Sequence, residues 1–351
     1  HNAIFTEYYM TTKITNKNIL ITGLVLLVAF VYILPLFYGI SVSLKTKEQL
    51  SSLNQSPLPM KPKTFEYNGK KLEVFLVPIN EERTKEMAAL QKGRDGCVFI
   101  DIDSVSNEKY NWSGQWRTLE KAWEISPKWS NFLTAWKAVN FPQLFKNTLM
   151  YAVVSTIGAV FSALFVAYGF ARYDFPGKKI LFIILIATIV LPSAVTLIPQ
   201  YTMFYKLGWI GTWLPLIVPH FFGNAFNIFL LRQFIMGIPR EMDEAACVDG
   251  AGPIRTLFQI ILPQAIPSVI SVALFHFFFA WNDFFNPLIY LAGKPEKQPI
   301  TVGLSRFSGM YSTESNLIQA ASLLACIVPF AIFFIAQKFF INGVQTSGVE
   351  K

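Results

Sequence analysis

Charge, histidine and cysteine are what this sequence has least of. Charged residues make up 15% of 351 positions and histidine occurs 3 times, which leaves too little polar surface for a soluble chain this rich in apolar residues. The cysteines, Cys97, Cys247 and Cys326, stand far apart, so neither a disulfide framework nor a metal-spaced cluster is implied and no metal site is expected. No G-x-x-x-x-G-K-[ST] phosphate loop occurs. Gly177-Lys178-Lys179 comes nearest, without the upstream glycine or a hydroxyl residue after the lysine. Nucleotide chemistry is therefore not expected of this chain. H-E-x-x-H, G-x-S-x-G and paired cysteines are missing as well, so no catalytic residue is named and an enzyme is not expected. The net charge of +8 comes with no nucleic-acid-binding module, and nucleic acid is not an expected partner.

What the sequence does hold is apolar length. Apolar residues make up 53% of it, 33 of them phenylalanine, and they gather into several runs of about 20 residues, as a membrane-spanning chain requires. Ile19 to Ser43 is too long for a signal-peptide core and lacks a small-residue cleavage site. With Lys13 and Lys17 before it, the run reads as a first span with its N-terminus inside. The chain opens on His1, so its first residues are read as processed or truncated. Thr46 to Val139 is polar and carries about half the charged residues. Within it, Phe65 to Val77 reads as a hairpin about Asn68-Gly69, Glu81 to Gln91 as a helix and Cys97 to Ile102 as a strand. Tryptophans crowd into Tyr110 to Trp136. They read either as a membrane-surface belt or the insert's own core, or as a docking surface for a partner.

Further runs follow: Thr148 to Ala171, Ile180 to Tyr201 with Pro192 and Pro199 as kinks, Thr212 to Phe234, Ile266 to Leu291, and Asn316 to Phe340. Ala159, Ala163, Ala167 and Ala171, with Gly158 and Ser162 beside them, give the second span one smooth face for close packing. Arg172, Lys178, Lys179, Arg232, Arg240 and Arg255 fall in the loops that alternate to the inside. The expected fold is an all-α integral membrane protein of six transmembrane helices, with a small α+β extracytoplasmic insert between helices 1 and 2. Its expected parts are a cytoplasmic tail (1–18), helix 1 (19–44), the insert (45–140), a core of helices 2–6 (141–341) and a cytoplasmic tail (342–351). Ionisable residues at membrane depth are candidates for function by default; here they are His220, His276 and Asp283. Asp283 lies in Trp281-Asn282-Asp283, which reads as a hydrogen-bonded helix break or, alternatively, as a translocation-path or gate element.

Between two apolar runs lies a polar, punctuated segment, Ile238 to Pro263. Pro239 suits a first helical turn, Glu241, Asp243 and Glu244 put negative charge at the positive end of the helix dipole, and Gly250 suits a helix stop. Gly252-Pro253 starts a second short helix, and Leu262-Pro263 leads back into apolar sequence. Glu244, Ala245, Ala246, Gly250, Ile260, Leu262 and Pro263 fill every fixed place of E-A-A-x3-G-x9-I-x-L-P, and the segment resembles the EAA loop of ABC importer permeases.

The resemblance extends from Pro127 to the C-terminus. It runs through Phe145 to Thr148, Ala171 to Lys179, Ile238 to Gly250, Ile260 to Pro263, Trp281 to Phe284, Ile300 to Leu304 and Gly343 to Lys351. In that order these segments resemble the MalG-type carbohydrate permeases of type I ABC importers, whose usual pattern has no outer insert as large as Leu50 to Ser126. The resemblance implies a permease subunit in a bacterial or archaeal cytoplasmic membrane, with both termini cytoplasmic. Its implied partners are membrane lipid, a second, non-identical permease, two ATPase subunits that bind ATP and Mg, and an extracytoplasmic solute-binding protein. No cofactor is expected on this chain. Coupling to the ATPase is implied for Arg240, Glu241, Glu244, Ala245, Ala246, Asp249, Gly250, Ile260, Leu262 and Pro263. Contact with the binding protein is implied for Gln298, Pro299, Ile300 and Thr301 in the loop Ala292 to Ser308. A permease for phosphate, polyamine or peptide is the nearer alternative. A secondary transporter or a membrane enzyme is more distant.

Overall fold

The computed structural model describes residues 16–52, 56–80, 83–93, 96–104, 108–308 and 314–345. Most of the two expected cytoplasmic tails, and Glu81 at the start of the expected helix, lie outside these residues. The chain forms two compact units, His1–Leu133 with Glu314–Ala320, and Thr134–Thr313 with Ala321–Lys351.

The first unit opens with α1 (Asn16–Ser43), whose 28 residues make about 42 Å of helix, enough to cross the roughly 30 Å hydrocarbon layer. None of its most apolar window is buried inside the chain, so its side chains are left for lipid or another subunit. A short helix, α2 (Lys47–Leu50), follows, with Thr46 capping its N-terminus by accepting from the Gln49 amide.

The insert is built on sheets. β1 (Met60–Pro62) pairs with β7 (Trp123–Ile125), while β2 (Thr64–Tyr67), β3 (Lys70–Asn80), β4 (Arg83–Lys92), β5 (Gly96–Asp101) and β6 (Lys109–Ser113) form an antiparallel meander in chain order. Asn68 and Gly69, with φ of 50° and 73°, make the tight turn expected of Asn-Gly; both left-handed residues match the twist of the hairpin. The expected strand over Cys97 to Ile102 is β5, but the helix expected over Glu81 to Gln91 is strand β4. Its Glu, Lys, Met, Ala and Leu are good helix formers, yet β4 is the central strand and takes ladder hydrogen bonds from β3 and β5 at once. Met87, Ala88 and Ala89 are buried in succession because both sheet faces are covered there, and that erases the alternation that marks a half-exposed strand.

Phe75, Phe99, Trp112 and Trp116 meet edge to face at centroid distances of 6.1–6.3 Å. Two of the crowded tryptophans thus belong to the insert's own core. Trp129 and Trp136 are 67% and 40% exposed.

Glu73 accepts from Lys121 at 2.8 Å and also pairs with Lys92, and these two ammonium groups hold its carboxyl below the ordinary 4.5. A depressed carboxyl contributes stability that is present above its unfolded pKa and lost as pH falls through its folded one. The insert is therefore expected to keep a constant melting temperature from neutrality to about pH 5 and to lose stability below 4.5. Glu73→Gln is expected to flatten that acid limb, read as tryptophan fluorescence melts of the full chain.

Helix α3 (Ser130–Ala138) leads to the second unit, which is helical: α4 (Phe141–Arg172), α5 (Lys178–Val190), α6 (Ser193–Lys206), α7 (Leu214–Ile217), α8 (Ala225–Met236), α9 (Glu241–Val248), α10 (Pro253–Thr256), α11 (Leu262–Asn282), α12 (Phe285–Tyr290), α13 (Ile300–Leu304) and α14 (Ser315–Gln345), the last beginning in the first unit. On α4 the alanine ladder is covered, with Ala159, Ala163 and Ala167 at 0% and Ala171 at 4% exposure. Ile228, Leu231 and Ile235 of α8 and Val272 of α11 join Ala163, Ala167 and Ala171 in one core cluster. A face of methyl groups lets both helices approach α4 closely.

Among the described residues five helices suffice by length and composition to cross a membrane, and α5 with α6 makes a sixth if that bent pair is one span. The pair departs from the expected kinked span: α5 stops at Val190, and α6 leaves it at 100°. Leu191 precedes Pro192 and is extended, at φ −70° and ψ 118°, as the proline ring demands of the residue before it. The next span, Leu214–Met236, is also interrupted, by a 3-10 stretch Val218–Phe222 and by Gly223. Its second half restarts with Asn224 capping the Asn227 amide at 3.1 Å. The fifth span begins at Pro253 rather than Ile266 and ends at Asn282 rather than Leu291.

Candidate functional site

Two polar constellations stand at opposite ends of α4. At its C-terminal end lies the segment Ile238 to Pro263. Helix α9 carries Glu241, Asp243 and Glu244 in its first turn, with Arg240 at the N-cap and Asp249 at the C-cap. It ends as its glycine requires. Gly250 has φ +76°, its amide bonds Cys247 O at 3.0 Å, and the Ala251 amide reaches back to Ala246 O at 2.9 Å, the double closure of a glycine-ended helix. A β-carbon at Gly250 meets nothing within 4 Å. Glu244, Ala245, Val248 and Asp249 are exposed, whereas Ala246 is 3% exposed and seats α9 on its own chain.

The second short helix and the fifth span are one continuous rod, Pro253–Asn282. Pro263 lacks an N–H for the preceding turn and its ring needs room there. The turn before it widens accordingly into a π stretch, Leu257–Ile261, with the Leu262 amide bonding Leu257 O. Ile260 and Leu262 are half-buried and Pro263 is exposed.

Arg172, the last residue of α4, ties this loop down. Its Nε lies 3.1 Å from Asp243 Oδ2, and its Nη2 donates to Ile238 O at 2.9 Å. The arginine side chain is 6% exposed and the aspartate 22%. In the sequence Arg172 stands among inside-loop charges and Asp243 among first-turn acids, with no local signal that joins them.

The other constellation gathers residues near the start of α4 with the break after α11. Tyr151 Oη donates to Asp283 Oδ2 at 2.8 Å, the Asn286 amide and Nδ2 donate to the same carboxylate, and Thr301 Oγ1 donates to Asp283 O at 2.6 Å. Asn147 Nδ2 donates to Glu296 O and Gln298 O, each at 2.9 Å, and the Ile300 amide donates to Thr148 Oγ1 at 2.8 Å. Trp281 is 3% exposed and packs against Phe145 and Phe277, while exposed Asn282 bonds back to Phe278 O. The two groups singled out in the sequence, Trp281 to Asp283 and Gln298 to Thr301, thus meet in one network. Pro299 and Ile300 are buried and Gln298 and Thr301 half-buried, while Ala292 to Glu296 are exposed. His276 is also satisfied in part, with Nδ1 3.4 Å from Asn227 Nδ2, and it lies against the His220 ring.

Residues 158–346 match the model of the family described as "Binding-protein-dependent transport system inner membrane component". The chain belongs to that family. This permease is 33% identical over 240 residues to the osmoprotective compounds uptake permease of Synechocystis sp., covering 68% of this chain and 80% of the relative. It is 30% identical over 278 residues to the alpha-glucoside transport system permease of Rhizobium meliloti, covering 76% and 72%. Among solved structures, a chain of a bacterial ABC transporter involved in alginate import superposes with a TM-score of 0.64 at 18% identity, over 94% of the permease and 100% of that chain. Membership makes the protein an inner-membrane transport subunit rather than an enzyme, with ATP hydrolysis in a separate subunit. The fold is that of a type I importer permease carrying a sheet-bearing insert.

Proposed function

We propose that this permease forms half of the path for an oligosaccharide in an ATP-driven importer and is driven through α9. The other half would come from a second, non-identical permease. Two ATPase subunits, carrying ATP and Mg, would sit below, and an extracytoplasmic binding protein would deliver the sugar above. Both termini would be cytoplasmic, with the insert outside, because the basic loops at Arg172–Lys179 and Arg232–Arg255 then fall inside.

One observation carries the coupling role. An exposed helix with a stiff glycine end is fastened to α4 by a nearly buried ion pair and continues into a spanning rod. From Arg172 back to Tyr151, α4 covers about 32 Å at 1.5 Å per residue. The rod Pro253–Asn282 runs from the same loop to Asp283. Motion imposed on α9 would reach the outer network through two helices packed along the alanine ladder, which resist compression as close-packed interiors do. In that network the exposed Ala292 to Glu296, rather than the tucked Gln298 to Thr301, is the part free to meet a binding protein.

The carbohydrate reading is supported by the alpha-glucoside relative and by the resemblance to MalG-type permeases. Its test is uptake by proteoliposomes holding the complete importer, with binding protein outside and ATP inside. A neutral di- or trisaccharide is expected to accumulate only when all components are present. Accumulation of phosphate, a polyamine or a peptide instead would overturn it.

A further inference from the structure

The insert holds a cleft that the coupling mechanism does not use. It has a volume of about 890 Å³, and its lining includes Trp123 of β7, Trp129, Lys61, Glu73, Lys121 and Lys128. That is within the size range of small-ligand sites, roughly 300–1,000 Å³. We propose that this cleft is a holding site for a neutral oligosaccharide of two to four rings, occupied before the sugar enters the membrane path. The proposal rests on the carbohydrate reading above.

Its walls are set by bonds made without a ligand. The segment leading out of β7 is tied back by the Ser126 amide to Pro59 O at 3.0 Å and by the Lys128 amide to Leu44 O at 2.9 Å. Buried Asn131 donates from one Nδ2 to Ser43 O at 2.7 Å and to Lys45 O at 2.8 Å. Gln49, also buried, bridges Leu58 O and the Met60 amide. A site whose backbone is already fixed binds without the cost of ordering it.

The lining is chemically that of a sugar site. Indole faces suit the apolar C–H side of a sugar ring, and Trp129 offers 67% of its surface at the rim. Around them stand groups that donate or accept towards hydroxyls. Two of the three lining lysines are paired with carboxylates: Lys121 lies 2.8 Å from Glu73, and Lys61 lies 3.1 Å from Glu124. Glu73, held below its ordinary value by Lys121 and Lys92, remains an acceptor at neutral pH. Cations already paired with carboxylates have little attraction left for an anionic polymer, which favours an uncharged ligand.

The test uses the complete importer in nanodiscs without its binding protein. Titration calorimetry is run with maltotriose, raffinose, arabinotriose and diacetylchitobiose, and with trigalacturonate as the anionic contrast. At least one neutral sugar is expected to bind, and Trp123→Ala and Trp129→Ala are each expected to weaken it tenfold or more. Trp129→Ala alters an exposed side chain, so loss of binding there is not loss of the fold. Uptake of a panel sugar from its binding protein, with no binding to the nanodisc complex, overturns the site and leaves the carbohydrate reading standing. Binding of trigalacturonate alone overturns the neutral class. Sugar binding unchanged in both variants, with a bromolipid quenching signal that disappears in Trp129→Phe, makes the tryptophan a membrane-interface anchor and also overturns the site. Tryptophan-dependent binding only of sugars that the importer does not take up overturns the holding role, because nothing then passes from the cleft to the path.

Discussion

Gly250→Asp is expected to lower binding-protein-stimulated uptake by roughly tenfold or more while the permease still inserts and its complex with the second permease persists. The backbone at Gly250 is left-handed, at +76°, so a β-carbon there costs up to about 1 kcal/mol, least for asparagine. A β-carbon there meets nothing within 4 Å, so the steric cost within the chain is small, and a carboxylate beside Asp249 at the helix end adds roughly 0.3–1 kcal/mol. The added carboxylate therefore acts on whatever docks over α9. Gly250→Asn separates the two contributions, because asparagine tolerates the left-handed region. If strain alone matters, Asn should behave nearly as wild type. If bulk in the groove matters, it should fail with Asp. Glu244→Lys, on the exposed first turn, reverses a charge that favours the helix dipole by roughly 0.3–1 kcal/mol, and it is expected to weaken co-purification of the ATPase. Wild-type coupling in both Gly250→Asp and Glu244→Lys would remove α9 from the transmission path.

Arg172→Met is expected to have an effect of similar size by a different route. It leaves the Asp243 carboxylate, 22% exposed, without its cation and Ile238 O without a donor. Removing one member of a buried pair costs about 3–5 kcal/mol; Asp243 keeps some access to water, so about 2–3 kcal/mol is the expected loss of loop anchorage. The ATPase should still bind, because α9 keeps its exposed face. Hydrolysis should continue, but its stimulation by the binding protein should fall and uptake with it. Asp243→Asn is expected to do the same more mildly, and the double variant to lose less than the sum, since both act on one interaction. Loss of ATPase binding in Arg172→Met, or strict additivity of the two changes, would show that the pair only stabilises the fold.

Helix α9 and its glycine end were legible because their signals are local: a proline, three acids, two alanines and a glycine at fixed offsets. The spans were legible from hydropathy, and the smooth face of α4 from four alanines one turn apart. What lay hidden depends on partners distant in the chain. Arg172 and Asp243 lie in separate segments, and nothing in either one names the other. Thr301 meets Asp283 O through a loop whose path no local pattern specifies. Glu81 to Gln91 reads as helix because its residues prefer helix, and only the flanking strands β3 and β5 make Arg83–Lys92 a strand. Pro192 was seen, but a proline marks a break without giving its angle. The crowded tryptophans divide among core, cleft and surface, which composition does not separate.

The 100° turn between α5 and α6 has a consequence for assembly. With 13 and 14 residues, each arm is about 20 Å long, short of the roughly 30 Å apolar layer. The corner at Leu191-Pro192 then falls at a depth where lipid offers no hydrogen bonds, and the last carbonyls of α5 need company that lipid does not provide. A neighbouring subunit or a water-filled cavity must supply it. Where that company is the second permease, a chain synthesised alone should be the less stable one in the membrane.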